Sequence, residues 1–108
     1  MSGEFAGALR ERVTIEQPRP MRDALGGRQG GWTYDGAAWA RVTPLVPAAL
    51  LAADALSSLP RWSVTMRKRE GVLPGTRFVW RGRFLIVRSG ISDPADPARM
   101  VLSCEEMR

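Results

Sequence analysis

The sequence contains no histidine, a single cysteine and a single lysine. Without histidine there is no His-dependent catalytic triad, no histidine general base and no histidine metal ligand. Cys104 alone excludes an internal disulfide and a zinc cluster built within the chain, and it fits a reducing cytoplasm. The only adjacent carboxylates, Glu105 and Glu106, would point to opposite faces of a strand. We therefore expect no enzyme activity, no catalytic residue, no cofactor and no metal site.

Long hydrophobic runs are also missing. The longest, Leu45–Ala53, contains Pro47 and is far shorter than the roughly 18 residues that span a bilayer, so no membrane partner is expected. No secretory signal is visible at the N-terminus. A length of 108 residues and an apolar fraction of 44% are typical of one soluble domain, 1–108, in which residues 1–8 would form a flexible arm.

The charge is moderately positive, at +5, and all but one of the basic residues are arginine. Such an excess permits contact with nucleic acid or with acidic protein surfaces. The alternative, that these charges only solvate the surface, remains open from composition alone.

Alternating apolar and polar residues predict about seven short strands. Glycine-containing turns are expected at Asp35–Gly36 and Arg81–Gly82, and a turn-rich loop is expected over Ser89–Ala98. The predicted fold is mainly β, a small antiparallel barrel or sandwich that closes its edges. The predicted strands are Leu9–Gln17, Trp32–Tyr34, Ala37–Thr43, Arg61–Arg69, Thr76–Trp80, Arg83–Arg88 and Arg99–Glu105.

One helical insertion is expected at about 47–58, because Pro47 suits a first helical position. Between Ala48 and Leu59 the polar residues fall on one narrow stripe at helical spacing, and the rest is Ala and Leu. Such a helix requires burial on more than one side. Two interpretations stay open: it covers the end of the barrel, or a neighbouring copy of the chain covers it.

The segment Pro18–Gly31 is rich in glycine and contains Arg19, Arg22 and Arg28. It lacks the Lys-Ser/Thr pair and following helix of a phosphate-binding P-loop, so a flexible loop is expected.

Several stretches, in order along nearly the whole chain, resemble the phage head–tail joining family, the head-closure or stopper proteins of long-tailed phages and gene transfer agents. None is specific alone. The stretches are Gly7–Ile15, Asp23–Gly27 followed by Trp32, Trp39–Leu45, Val64–Arg69, Leu73–Arg77, Arg83–Val87, Asp93–Pro94 and Leu102–Glu106.

The resemblance implies a virion protein without enzyme activity, assembled in the bacterial cytoplasm. It would form a homo-oligomeric ring, six- or twelve-fold, between the portal or adaptor ring and a tail terminator or tail tube protein. The ring would surround double-stranded DNA without reading its sequence. The chain departs from the family at Val46–Ala53, where charged residues are nearly absent, which favours an inter-subunit helix over a solvent-facing gate.

Three sets of site residues follow from the resemblance. Arg19, Arg22 and Arg28 would meet DNA phosphates in the channel, unless they only solvate their loop. Trp39 would pack at the subunit interface, unless it lies in an ordinary second core layer. Its interface partners would be Leu50, Leu51, Leu56 and Leu59, and a basic stripe at the lumen or between rings would contain Arg61, Arg67 and Arg69.

A second function from another class is a free-standing small-barrel nucleic-acid-binding module. Its platform would be the interleaved Arg and Trp residues of Trp62–Trp80. A monomer that binds single strands with a steep salt dependence would favour this module over the ring.

Overall fold

The fold is all-β in the residues that the computed structural model describes, 9–19, 31–45 and 60–107. The predicted helical insertion, the arm 1–8 and residues 20–30 of the glycine loop lie outside these ranges. No helix of the described ranges has the length and apolar character needed to cross a bilayer. The strands are β1 (Glu11–Pro18), β2 (Trp32–Pro44), β3 (Arg61–Arg67), β4 (Arg77–Trp80), β5 (Arg83–Asp93) and β6 (Asp96–Met107).

The six strands close into an antiparallel barrel in the order β1-β2-β3-β6-β5-β4. Closure depends on β4 returning to β1, where Ile15 pairs with Phe78. Every strand therefore has a neighbour on both sides over part of its length, which closes the sheet. Residues 32–39 of β2 pair only with β1, and residues 89–93 of β5 pair only with β6. The predicted small antiparallel barrel is confirmed.

The core forms from residues at alternate positions of each strand, as the sequence pattern predicts. Val13, Ile15, Phe78 and Leu85 have no exposed surface. The remaining core residues are Ala40, Val64, Met66, Val72, Trp80, Val87, Leu102 and Cys104.

The expected turn at Asp35–Gly36 is wrong, because Trp32–Pro44 is one strand of 13 residues. Gly36 has a φ of +102°, and the β1–β2 register shifts between Thr14 and Glu16 beside it. The glycine thus accommodates an irregularity within a continuous ladder and does not reverse the chain. The barrel consequently has six strands where seven were expected.

The expected loop at Ser89–Ala98 is also wrong. β5 continues to Asp93, β6 begins at Asp96, and only Pro94–Ala95 turns. The two aspartates make the turn compact, since Asp93 accepts from the Ala95 amide at 2.9 Å and Asp96 accepts from the Ala98 amide at 3.0 Å. The Pro and Asp residues of this tight hairpin turn have the composition of a longer loop. Composition alone therefore predicted a loop where the structure has a hairpin.

Candidate assembly surface

A row of hydroxyl side chains crosses the outer face of four neighbouring strands. Thr43 of β2 pairs with Ser63 of β3, Ser63 with Ser103 of β6, and Ser103 with Ser89 of β5. Each alternates with an inward-facing neighbour, so all four hydroxyls point away from the core. They form a polar, uncharged line across the barrel wall.

The next row on the same face is mixed. Arg41 pairs with Thr65, Thr65 with Val101, and Val101 with Ile91, whose side chain is 63% exposed. Between these two rows lies an open cavity of about 220 Å³, which we call the hydroxyl groove. Its lining residues are Leu45, Ser63, Ser89, Gly90, Ile91, Val101, Leu102 and Ser103.

The electrostatic setting of the hydroxyl groove is positive. No lining residue is charged. Arg41 borders it on β2 and Arg61 on β3, and neither forms an ion pair with a described residue. The nearest carboxylate in the register, Glu105, pairs with Arg61 across the ladder but is held by Arg88 at 2.8 Å. An anion approaching this face therefore meets uncompensated positive charge.

Trp39 lies on the outer face of β2, with 52% of its surface exposed, and it does not line the groove. Its cross-strand neighbour Arg12 places its guanidinium 4.9 Å from the indole centroid. This exposure contradicts a second core layer within the described part of the chain. Trp39 thus presents a large apolar ring to solvent next to an arginine. Trp and Arg are both enriched at protein–protein interfaces.

The opposite wall, formed by β1, β4 and β5, is internally paired. The Arg77 guanidinium lies 4.4 Å from the Trp32 ring centroid and 4.3 Å from that of Phe84, and it forms an ion pair with Glu16. Beneath it the outward-facing Ile86 is nearly buried. These contacts give the polar side chains of this wall partners within the chain. Few of them remain available to bind another protein.

One end of the barrel is filled by Trp62 and Trp80, which meet edge to face with centroids 5.0 Å apart. Trp62 donates to Glu106 and Trp80 donates to Glu11, each at 2.9 Å. Trp80 is buried and Trp62 is partly buried against the core, so these two rings do not form an exposed stacking face. The nucleic-acid module stays a prediction.

The other end holds a larger cavity of about 410 Å³, between the loop after β3 and the β5–β6 hairpin. Val72 and Leu73 line it from the loop, and Met100 and Leu102 from β6. Gly90 separates it from the hydroxyl groove. A Cβ at Gly90 would approach Leu102 Cδ2 to 2.5 Å, so any side chain here would require the end of the buried Leu102 side chain to move.

Chemically reactive groups are scarce in the described part of the chain. Its His, Cys, Asp and Glu residues form no group suited to a metal ion. Burial raises the pKa of the Cys104 thiol to about 12, which keeps it protonated and unreactive at neutral pH.

The basic stripe stays a prediction. Arg61 and Arg67 lie on the same outer face at the two ends of β3, and Arg69, after the strand, donates to the Asp35 carbonyl at 2.6 Å. Arg19 is exposed beside Gly31, and Trp39 is half-exposed. Arg22, Arg28, Leu50, Leu51, Leu56 and Leu59 lie outside the described residues.

The hydroxyl groove could not be recognised from the sequence. Its residues come from four strands that lie up to sixty positions apart in the chain, and each serine by itself is typical of an outward-facing strand residue. Only the register aligns them.

A family model for phage head completion proteins matches residues 6–107. The chain belongs to this family. This head completion protein is accordingly a structural head–tail component with a place in the virion or phage-like particle, as its resemblance to head–tail joining proteins predicts.

Solved structures with the same fold support the architecture. A protein from Shigella flexneri 2a, determined in solution, matches with a TM-score of 0.71 and 24% identity over 93% of this chain and 94% of that one. A chain from the virion of a native gene transfer agent particle matches with a TM-score of 0.68 and 18% identity over 92% and 96%. At these identities the likeness shows the fold alone. No curated protein matches the chain significantly.

Proposed function

We propose that this head completion protein assembles as a homo-oligomeric ring, six- or twelve-fold, between the portal or adaptor ring and the tail. There it closes or gates the DNA channel and docks a tail terminator or tail tube protein. The match of residues 6–107 to the head completion family carries the proposal. The closed barrel supports it, because most of its edges are paired within the chain, which leaves side-chain surfaces and long connections as the main means of assembly.

Within the ring, the connection Val46–Leu59 and the exposed Trp39 would contact the neighbouring subunit. Leu50, Leu51, Leu56 and Leu59 would supply the apolar part of that contact. Burial of a half-exposed Trp beside an apolar segment gives the composition of a binding hot spot.

Arg19, Arg22 and Arg28 would face DNA phosphates, and repetition around the ring would multiply a weak contact. Arg61, Arg67 and Arg69 would form a basic stripe along the lumen or between rings, and the first two share the outer face of β3. Residues 1–108 would act as one connector domain, with 1–8 as its arm, and without catalysis. Reproducible turnover of any substrate would overturn this last point.

Ring assembly is tested by particle production with Trp39→Ala. We expect heads without tails, counted by electron microscopy, because the subunit contact loses its central aromatic side chain. Tyr34→Ala is the matched control, since Tyr34 is 67% exposed on the same strand but belongs to no predicted interface. Normal tailed particles from the Trp39 variant would contradict the interface.

The DNA contact is tested by a double variant, Arg22→Gln with Arg28→Gln. We expect tailed particles that lose packaged DNA, measured as DNA content per particle. The variant Arg81→Gln with Arg83→Gln removes equal charge from the far end of the barrel and should retain the DNA. Equal DNA retention in both double variants would count against the loop.

A further inference from the structure

The hydroxyl groove is an array of hydrogen-bond donors without internal acceptors. Among the described residues, none of the side chains Thr43, Ser63, Thr65, Ser89 and Ser103 has a hydrogen-bond partner. By contrast the buried Thr76 hydroxyl donates to Gln17 and accepts from the Leu73 amide. Aligned hydroxyls on two rows suit a ligand with many oxygen acceptors, such as carboxylates and peptide carbonyls.

Two cations flank this array. Arg41 ends the row that contains Thr65, Val101 and Ile91. Arg61 lies on β3 beyond Ser63 of the hydroxyl row. Strands about 4.8 Å apart place Arg41 and Ile91 roughly 14 Å from each other across β2, β3, β6 and β5. That span matches an extended peptide of a few residues, with carboxylates at the arginine side.

Apolar side chains line the 220 Å³ cavity, and no lining residue is charged. Leu45, whose amide donates to the Arg61 carbonyl at 2.9 Å, lies at the arginine side, and Val101 and the exposed Ile91 lie across the cavity from it. The volume accommodates a side chain of leucine or phenylalanine size. A ligand for this surface therefore combines carboxylates with an apolar side chain.

We propose that the hydroxyl groove binds an extended acidic segment of another protein of the particle, with one apolar side chain of that segment in the cavity. The inference rests on the proposed function in choosing a particle protein as partner.

A second copy of this chain does not offer such a segment from its described residues. Six of their eight carboxylates are already ion-paired to arginines of the same chain, and Asp35 accepts from Gln17. Among the described carboxylates only Glu70 is left, and Glu4, Asp23 and Asp54 lie outside the described residues. The described surface of a second copy therefore does not complement Arg41 and Arg61, which favours a different protein as the partner.

The test uses the full chain and a short fluorescent peptide that alternates Glu and Leu. We expect binding in fluorescence anisotropy, lost when Gln replaces each Glu of the peptide. Arg41→Gln should weaken binding about tenfold, the loss expected for a charge-assisted contact at a binding hot spot. Arg81→Gln, with the same change of net charge on the opposite side, should bind like the parent protein.

The cavity is tested separately with Ile91→Ser. This exposed position tolerates the change, which unfolding by urea would confirm. Affinity for the Glu-Leu peptide should fall, while affinity for a Glu-Ser peptide should stay constant, because only the former places an apolar side chain against Ile91.

Four results would overturn the proposal. They are equal binding of the Gln peptide, equal losses for Arg41→Gln and Arg81→Gln, tighter binding of duplex DNA that depends on Arg41, and self-association that Arg41→Gln abolishes. Peptide binding that appears only after Gly-Ser residues replace 46–59 would also overturn it, since the chain's own segment would be the occupant. Trp39→Ala distinguishes the two proposals, as it should disrupt the ring and leave peptide binding intact.

Discussion

Two parts of the barrel wall treat their polar side chains in opposite ways. Across β1, β4 and β5, Arg77 is enclosed by two aromatic rings and Glu16, and Arg81 pairs with Glu11 at 2.8 Å. We call this the paired wall. Across β2, β3, β6 and the second half of β5, Arg41, Arg61 and five hydroxyls have no partner among the described residues.

The difference separates groups that hold the fold from groups that remain available. A polar group with internal partners stabilises the barrel and is costly to remove, whereas a solvated group contributes little to folding. The second kind of surface is where a structural protein can bind its neighbours without loss of stability. The following substitutions test this division, beginning with the largest effect.

Gly90→Val tests the boundary between the core and the hydroxyl groove. The added side chain would collide with Leu102, so overpacking should lower the free energy of unfolding by about 3 kcal/mol. Urea denaturation measures the change. Ser89→Val places the same side chain one residue earlier on the outer face and should cost less than about 0.5 kcal/mol. Equal losses would mean that the two faces are not distinguished as described.

Arg77→Ala tests the paired wall. Loss of two cation–π contacts and an ion pair should cost about 2 kcal/mol in the free energy of unfolding, partly because Glu16 keeps a half-buried charge. Arg41→Ala removes an arginine that contacts no described partner and should change stability by less than about 0.5 kcal/mol. A costly Arg41→Ala would erase the contrast between the walls.

Thr76→Val compares hydroxyls. Thr76 is 1% exposed. Loss of its hydroxyl would leave the Leu73 backbone amide and the Gln17 side-chain carbonyl without their partner, at a cost of about 1.5 kcal/mol. Thr65→Val, in the row next to the hydroxyl groove, should be close to neutral. Thermal unfolding of both variants measures the difference. A destabilised Thr65 variant would indicate a hidden internal partner.

The smallest effect concerns Cys104 and pH. Because the folded pKa lies above that of an exposed thiol, the unfolded chain loses its proton first and stability falls as pH rises above about 9. At pH 10 the loss should be about 1 kcal/mol, and below pH 8 this group should have no effect. Cys104→Ala should remove that part of the pH dependence. An identical alkaline profile in both proteins would contradict it.

Much of the fold could be predicted from alternation. Val13 and Ile15 read as inward on one strand, and Trp62, Val64 and Met66 on another, because a half-buried strand must place apolar side chains on one face. The predictions around Gly36 and Pro94 were wrong, because the residue types that reverse a chain also accommodate bulges and tight hairpin turns.

The candidate site was predictable only in part. Trp39 could be named because it stands on the face opposite Ala40 and Val42, which identifies an outward aromatic from the sequence. The hydrogen bond from Arg69 to the Asp35 carbonyl could not, because it joins residues far apart in the chain.

The sequence by itself determined which side of each strand faces the core, which chemistry is absent and which family the chain resembles, since these follow from local periodicity and composition. The tertiary structure decided that β4 closes on β1 and which residues stand beside each other around the barrel. Thr43, Ser63, Ser103 and Ser89 meet only because hydrogen-bond ladders fix the register between strands. That register is set by long-range pairing across the closed sheet, which no local stretch of sequence encodes.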